Sequence, residues 1–309
     1  MNAGEAVFSA DSPRHDWHFL FHGVETESPA TGREYAEGLG DAMGLEILVM
    51  YVAVGLIAGL LAGLLGIGGG VVIVPLLVWC FLRQGIQPDH IMHLALGTSL
   101  ASIIFTSISS FLSHHRRGAV DWTIVRRIVP GILVGTFLGT MVASQLSSNF
   151  LKGFFCLFLY TIATQIILNK KPKASRQLPG NAGMFATGST IGAVSSFVGI
   201  GGGSLSVPFM LWCNVTAHRA IGTSAAIGLP IAVAGAIGYI VNNLQVTGLP
   251  AYSIGYVYLP ALAGIVCASV LTAPLGARLA HSLPVDRLKR FFAIFLYVVA
   301  TRMAWELVA

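Results

Sequence analysis

The fifteen residues Gly66 to Cys80, GIGGGVVIVPLLVWC, return as GIGGGSLSVPFMLWC at Gly199 to Cys213, with nine positions identical at a spacing of 133 residues. A second pair, HLALGTSLA (His93 to Ala101) and HRAIGTSAA (His218 to Ala226), follows in the same order. Two matched pairs in one order mean an internal duplication, so the chain folds as two copies of one unit. In each copy the glycine run lies between long apolar stretches. Glycine costs roughly 1 kcal/mol against alanine in a helix interior. Four glycines in five positions therefore break the helix, and they permit backbone angles and close approaches that side chains forbid.

The surroundings of that break are a membrane's. The 309 residues are 55% hydrophobic and only 10% charged, with a mean hydropathy of +0.76, far from the roughly one-quarter charged composition of soluble domains. A formal charge of +5 would suggest nucleic acid in a soluble protein. Here the basic residues sit between apolar runs and read as topology signals, with no nucleic-acid partner. From Gly44 the apolar segments run over 44–65, 70–82, 93–113, 122–145 and 150–168, then 182–199, 203–214, 219–241, 254–279 and 288–308. The pattern predicts an all-α polytopic membrane protein of about ten transmembrane segments. They form two inverted five-helix repeats with glycine-broken helices, 44–168 and 182–309, around a basic cytoplasmic linker, 169–181, and behind an acidic tail, 1–43. The second segment of each repeat is only about 18 Å long as a helix. It either crosses with help from the extended glycines or forms a re-entrant hairpin with its predecessor, and both alternatives leave an odd number of crossings per repeat.

Thirteen of the eighteen lysines and arginines fall in loops after the third, fifth, seventh and ninth segments, which places those loops in the cytoplasm. In the tail, His15, His18 and His22 share one helical face with Trp17, Phe19, Leu20 and Phe21 near by. This reads as an amphipathic stretch on the membrane interface rather than a metal site. Cys80, Cys156, Cys213 and Cys267 lie in apolar segments without a CxxC pair and read as buried, reduced thiols.

Beyond Glu46 the acidic residues are Asp89, Asp121, Asp286 and Glu306, all at segment ends or loops. Cation transporters and proton pumps usually carry a carboxylate at mid-membrane, so the substrate expected here is a small anionic or neutral molecule. Both glycine runs lack the spacing of nucleotide loops, and no hydrolase or zinc-protease motif is present, so neither an enzyme nor a cofactor or metal is expected. The candidate binding residues are Gly68, Gly69 and Gly70 with Gly201, Gly202, Gly203 and Ser204 at the breaks, and the hydroxyls of Thr98, Ser99, Thr223 and Ser224. The competing reading of the hydroxyls is that they bond the preceding helical turn. A helix restarting after Gly70 or Gly203 exposes up to four unpaired N–H groups and about half a positive charge, enough to cradle an oxyanion without a buried lysine. His93 and His218 are candidates for gating or proton coupling, with Arg219 at the inner mouth.

The paired GIGGGxxxxP runs, each followed by a GTS-bearing segment, resemble those of the TauE/SafE family of sulfite exporters, over about residues 44–308. The resemblance implies a multi-pass inner-membrane transporter of sulfite or another small organosulfur anion. The histidine-bearing tail departs from the family's usual short N-terminus. The alternative is a membrane-anchored sensor or accessory protein.

Overall fold

The computed structural model describes residues 32–65, 69–168, 175–282 and 285–308, with side chains described from Gly44 onward except at 62–65, 274, 276–282, 285–289 and 308. His15, His18, His22, Gly68 and the first half of the linker lie outside the described residues. Residues 1–43 and 44–309 separate into two units. In the first, residues 32–43 are helical; the rest of the fold described below belongs to the second.

The described residues form ten helices: α1 Gly32–Leu65, α2 Gly70–Arg83, α3 Pro88–Arg116, α4 Trp122–Gln145, α5 Ser148–Leu168, α6 Asn181–Val198, α7 Gly203–Trp212, α8 Ala217–Val241, α9 Leu259–Ser282 and α10 Val285–Val308. Among them five stretches are long and apolar enough to cross a membrane: Gly44–Leu61, α3, α4, α5 and α8. α2 and α7, with 14 and 10 residues, fall short of the roughly 20 that a crossing needs.

Local chemistry sets the boundaries. α3 begins five residues before the expected His93, because Pro88 occupies its first turn, where a missing N–H costs nothing. Asp121 caps α4 by accepting from the N–H groups of Thr123 and Ile124 at 3.0 and 3.3 Å. A helix expected from residue 254 instead starts at Leu259, after a two-stranded hairpin in which Ser253 pairs with Tyr258 and Ile254 with Val257. Gly255, at φ 52°, makes that turn against the carbonyl of Ile240, 2.6 Å from where a Cβ would sit.

Glycine ladders bring helices together. Gly131 and Gly135 of α4 press on the backbone of Phe185 and Ser189 in α6, and Gly188 and Gly192 of α6 reciprocate against Ile128 and Ile132. Gly55 and Gly59 of α1 meet Ile265, Ala268 and Ser269 of α9 in the same way. In a membrane such close backbone contact replaces the hydrophobic drive that lipid removes. The packing repeats with the duplication: α4 on α6 matches α9 on α1, and α8 on α4 matches α3 on α9, while α3 with α8 and α5 with α10 pair repeat mates directly.

The short helices turn back. Gln84, just past α2, hydrogen-bonds the Tyr51 hydroxyl of α1, so the chain leaves the first break toward the end from which α1 came. Trp212, the last residue of α7, accepts from the N–H groups of Ser175 and Arg176 at 3.3 Å, in the linker that leads into α6. Its indole donates to Ser175 Oγ at 2.9 Å, and Arg176 stacks over the ring at 4.7 Å.

Candidate functional site

Three of the break glycines adopt backbone angles that other residues rarely take: Gly69 at φ 66°, Gly199 at φ 67° and Gly202 at φ 72°. Gly199 ends α6 in the left-handed conformation, its N–H bonded to the Ser195 carbonyl at 2.8 Å. Gly69 and Gly202 start α2 and α7 as N-caps without a capping side chain. The two breaks meet. A Cβ on Gly70 would sit 2.5 Å from the Gly199 carbonyl oxygen and 3.1 Å from the Ile200 Cα. Gly201 packs beside Ile103 of α3 and Gly228 of α8, so the crossing long helices wall the junction.

The duplicated GTS motifs divide their labour residue by residue. Gly97 lets the Tyr256 carbonyl touch α3, and Thr98 Oγ1 accepts from the N–H of Tyr258 at 3.0 Å, at the entrance to α9. In the other half, Gly222 lies against Ala119, and Thr223 Oγ1 accepts from the N–H of Asp121 at 2.9 Å, at the entrance to α4. Each threonine thus anchors the loop of the opposite half. The reading of these hydroxyls as bonded to their own helical turn does not hold for either one. The serines differ: Ser99 donates to the Gly199 carbonyl at 2.8 Å, directly at the second break, and Ser224 pairs with Ser206 of α7 at 2.7 Å. Of the duplicated hydroxyls, Ser99 bonds the second break and Ser224 bonds α7, while the threonines bond loops of the opposite half.

At the second break one further polar group, Ser195, escaped the sequence reading, and it joins the expected Ser204. Ser195, in the last turn of α6, is fully buried, and its hydroxyl has no partner among the described residues; Ser204 Oγ is likewise unpaired. Ser195 is not duplicated, and no spacing marked it.

The histidines separate. His93 is buried, with Nε2 3.0 Å from the Ala143 carbonyl and its ring stacked on Tyr256 at 4.8 Å, while His218 is exposed. Arg219 pairs with Asp121 at 3.6 Å on the surface. Among the described residues there is no group of three or more His, Cys, Asp or Glu able to hold a metal. Cys80, Cys156 and Cys213 are buried as expected, but Cys267 is exposed on α9.

A polytopic helical bundle whose doubled, broken helices meet in its interior has the architecture of a membrane transporter. The family model of the sulfite exporter TauE/SafE matches residues 51–303. A probable membrane transporter protein of Haemophilus influenzae is 39% identical over 258 residues, 83% of this chain and 97% of the relative. The probable membrane transporter protein YdhB of Bacillus subtilis is 31% identical over 261 residues, 82% and 95% of the two chains, and one of Methanocaldococcus jannaschii is 28% identical over 263 residues, 84% and 96%. No solved structure matches the chain. The protein belongs to the TauE/SafE family of membrane transporters, and it is a multi-pass membrane protein rather than an enzyme.

Proposed function

We propose that the protein is a secondary transporter of sulfite or another small organosulfur anion, working by alternating access about the junction of the two glycine breaks. The observation that carries this reading is the contact of Gly70 with Gly199 and Ile200, which joins the two duplicated breaks at one point. Broken helices at a repeat interface supply N–H groups and a positive dipole end where a membrane interior otherwise offers neither.

In this reading α1 with α2 and α6 with α7 are re-entrant pairs, and three helices of each repeat cross: α3, α4 and α5, then α8, α9 and α10. Three crossings per repeat make the halves inverted. The matched packing of α4 on α6 and α9 on α1 supports a pseudo-twofold relation. The basic loops then face the cytoplasm of a bacterial-type inner membrane. A hydrogen bond that each Thr of the GTS motifs accepts from a backbone N–H of the opposite half links the helix carrying one motif to the helix entrance of the other, so motion at one side is felt at the other. Of the two histidines proposed for proton coupling, His93 lies in the core and His218 on the exposed surface.

Proteoliposomes loaded with labelled sulfite test the function. Export should be saturable and should disappear in Gly202→Leu, which puts a side chain on a φ of 72° and against Ile231. A Gly202→Leu protein that inserts, purifies as a monodisperse species and exports at the wild-type rate would refute the reading.

A further inference from the structure

The two breaks are alike in glycine but unlike in the hydroxyls around them. At the second, Ser195 is wholly buried, and its unpartnered Oγ lies 3.3 Å from the position a Cβ on Gly202 would take. The N–H groups of Leu205 and Ser206 already bond the Gly202 carbonyl at 3.1 and 2.9 Å. Those of Gly203 and Ser204 have no acceptor among the described residues, and neither does Ser204 Oγ. At the first break the matching sequence positions carry Ala62, Val71 and Ile73 where the second has Ser195, Ser204 and Ser206.

Burying a hydroxyl without a partner is costly, so a fold that keeps one beside two free N–H groups has a use for it. The carbonyl end of α6, which would repel an anion there, is largely occupied. Ser195 O accepts from the N–H groups of Gly199 and Ile200 at 2.8 and 3.2 Å, and Gly199 O accepts from Ser99 Oγ at 2.8 Å. What faces the start of α7 is therefore a set of donors, with the helix dipole contributing about half a positive charge.

Building on the anion-transport reading, we infer that the second break alone grips the ligand's head group. Ser195 and Ser204 donate their hydroxyl protons, and Gly203 and Ser204 their N–H groups, to the oxygens of one singly charged oxyanion. The first break contributes closeness and apolar surface rather than a matching set of hydroxyls. A single helix end with no buried cation offsets about one charge, so a dianion is left undercompensated in a low-dielectric site.

The test is equilibrium binding to the purified full-length protein, with methanesulfonate as a permanent monoanion and sulfate as a permanent dianion. Methanesulfonate should bind, and sulfate at least 10-fold more weakly. Ser195→Ala and Ser204→Ala should each weaken methanesulfonate by about 10-fold to 100-fold, the range for a hydrogen bond to a charged group. Ser189→Ala, on the same helix but bonded to the Gly131 carbonyl in the α4 interface, should leave binding unchanged. Ser195→Ala should also melt no lower than wild type without ligand, because it deletes an unsatisfied group; a merely structural serine would not weaken binding at all. Wild-type affinity in Ser195→Ala, or sulfate binding as tightly as methanesulfonate, would overturn the inference while leaving transport standing. Failure of wild-type vesicles to move sulfite or methanesulfonate would bring down the functional reading itself.

Discussion

Substituting alanine at Gly222 tests whether the duplicated GTS motif is a close-packing device. Its Cβ would fall 2.5 Å from the Ala119 carbonyl oxygen, 2.6 Å from the Ala119 Cβ and 2.8 Å from its carbonyl carbon. Two of those three atoms are backbone, so the loop cannot yield by a rotamer change. It must withdraw by most of an ångström to reach ordinary contact near 3.4 Å. Overpacking of this kind costs about 1–3 kcal/mol, and the withdrawal strains the 2.9 Å bond from the Asp121 N–H to Thr223, worth about 1 kcal/mol net. Against this, alanine gains about 1 kcal/mol of helix propensity over glycine. Gly222→Ala should therefore destabilise by about 1–3 kcal/mol. Gly153 in α5 is the control: its Cβ would meet only Leu307 Cδ2, at an ordinary 3.6 Å, and Gly153→Ala should stabilise by up to about 1 kcal/mol. Equilibrium unfolding in mixed detergent micelles measures both. Opposite signs are expected for the same chemical change, and equal effects at the two sites would refute the close-packing account.

Thr98→Val removes the acceptor for the Tyr258 N–H and should cost about 1–3 kcal/mol, while Thr98→Ser keeps the hydroxyl and restores most of it; unfolding midpoints that fail to separate the two would show that the bond carries no weight. Burial pushes the Cys213 thiol up from its ordinary range, and the nearby Arg176 opposes this only in part. A raised pKa leaves less thiolate at neutral pH, so in a variant whose only cysteine is Cys213, maleimide should react slowly when folded and rapidly after denaturation. Equal rates in the two states would contradict it.

How much could be read before folding varies from element to element. The glycine breaks at Gly69 and Gly202 were legible because a run of glycines between apolar stretches has few other uses, and the four-residue spacing of Gly131, Gly135 and Gly139 is in itself the pattern of a close helix contact. The hairpin before α9 was not legible. Its strands are two residues each, and the turn depends on Gly255 fitting against Ile240, a contact some fifteen residues away that no periodicity records. The histidines were misleading as a pair, since identical positions in two copies of a motif ended with one stacked under Tyr256 and the other exposed.

The sequence by itself determined that this is a duplicated membrane protein with a break in each half, because hydropathy, glycine content and repetition are properties of residues and their order. Tertiary structure decided what each duplicated residue does. Thr98 and Thr223 became anchors for loops of the opposite half, Ser99 went to the Gly199 carbonyl, and the unduplicated Ser195 arrived unpaired beside Gly202. The reason is physical: a hydroxyl takes its role from the donor or acceptor that packing brings within about 3 Å, and that partner lay from about 100 to 160 residues away in the chain for Ser99, Thr98 and Thr223.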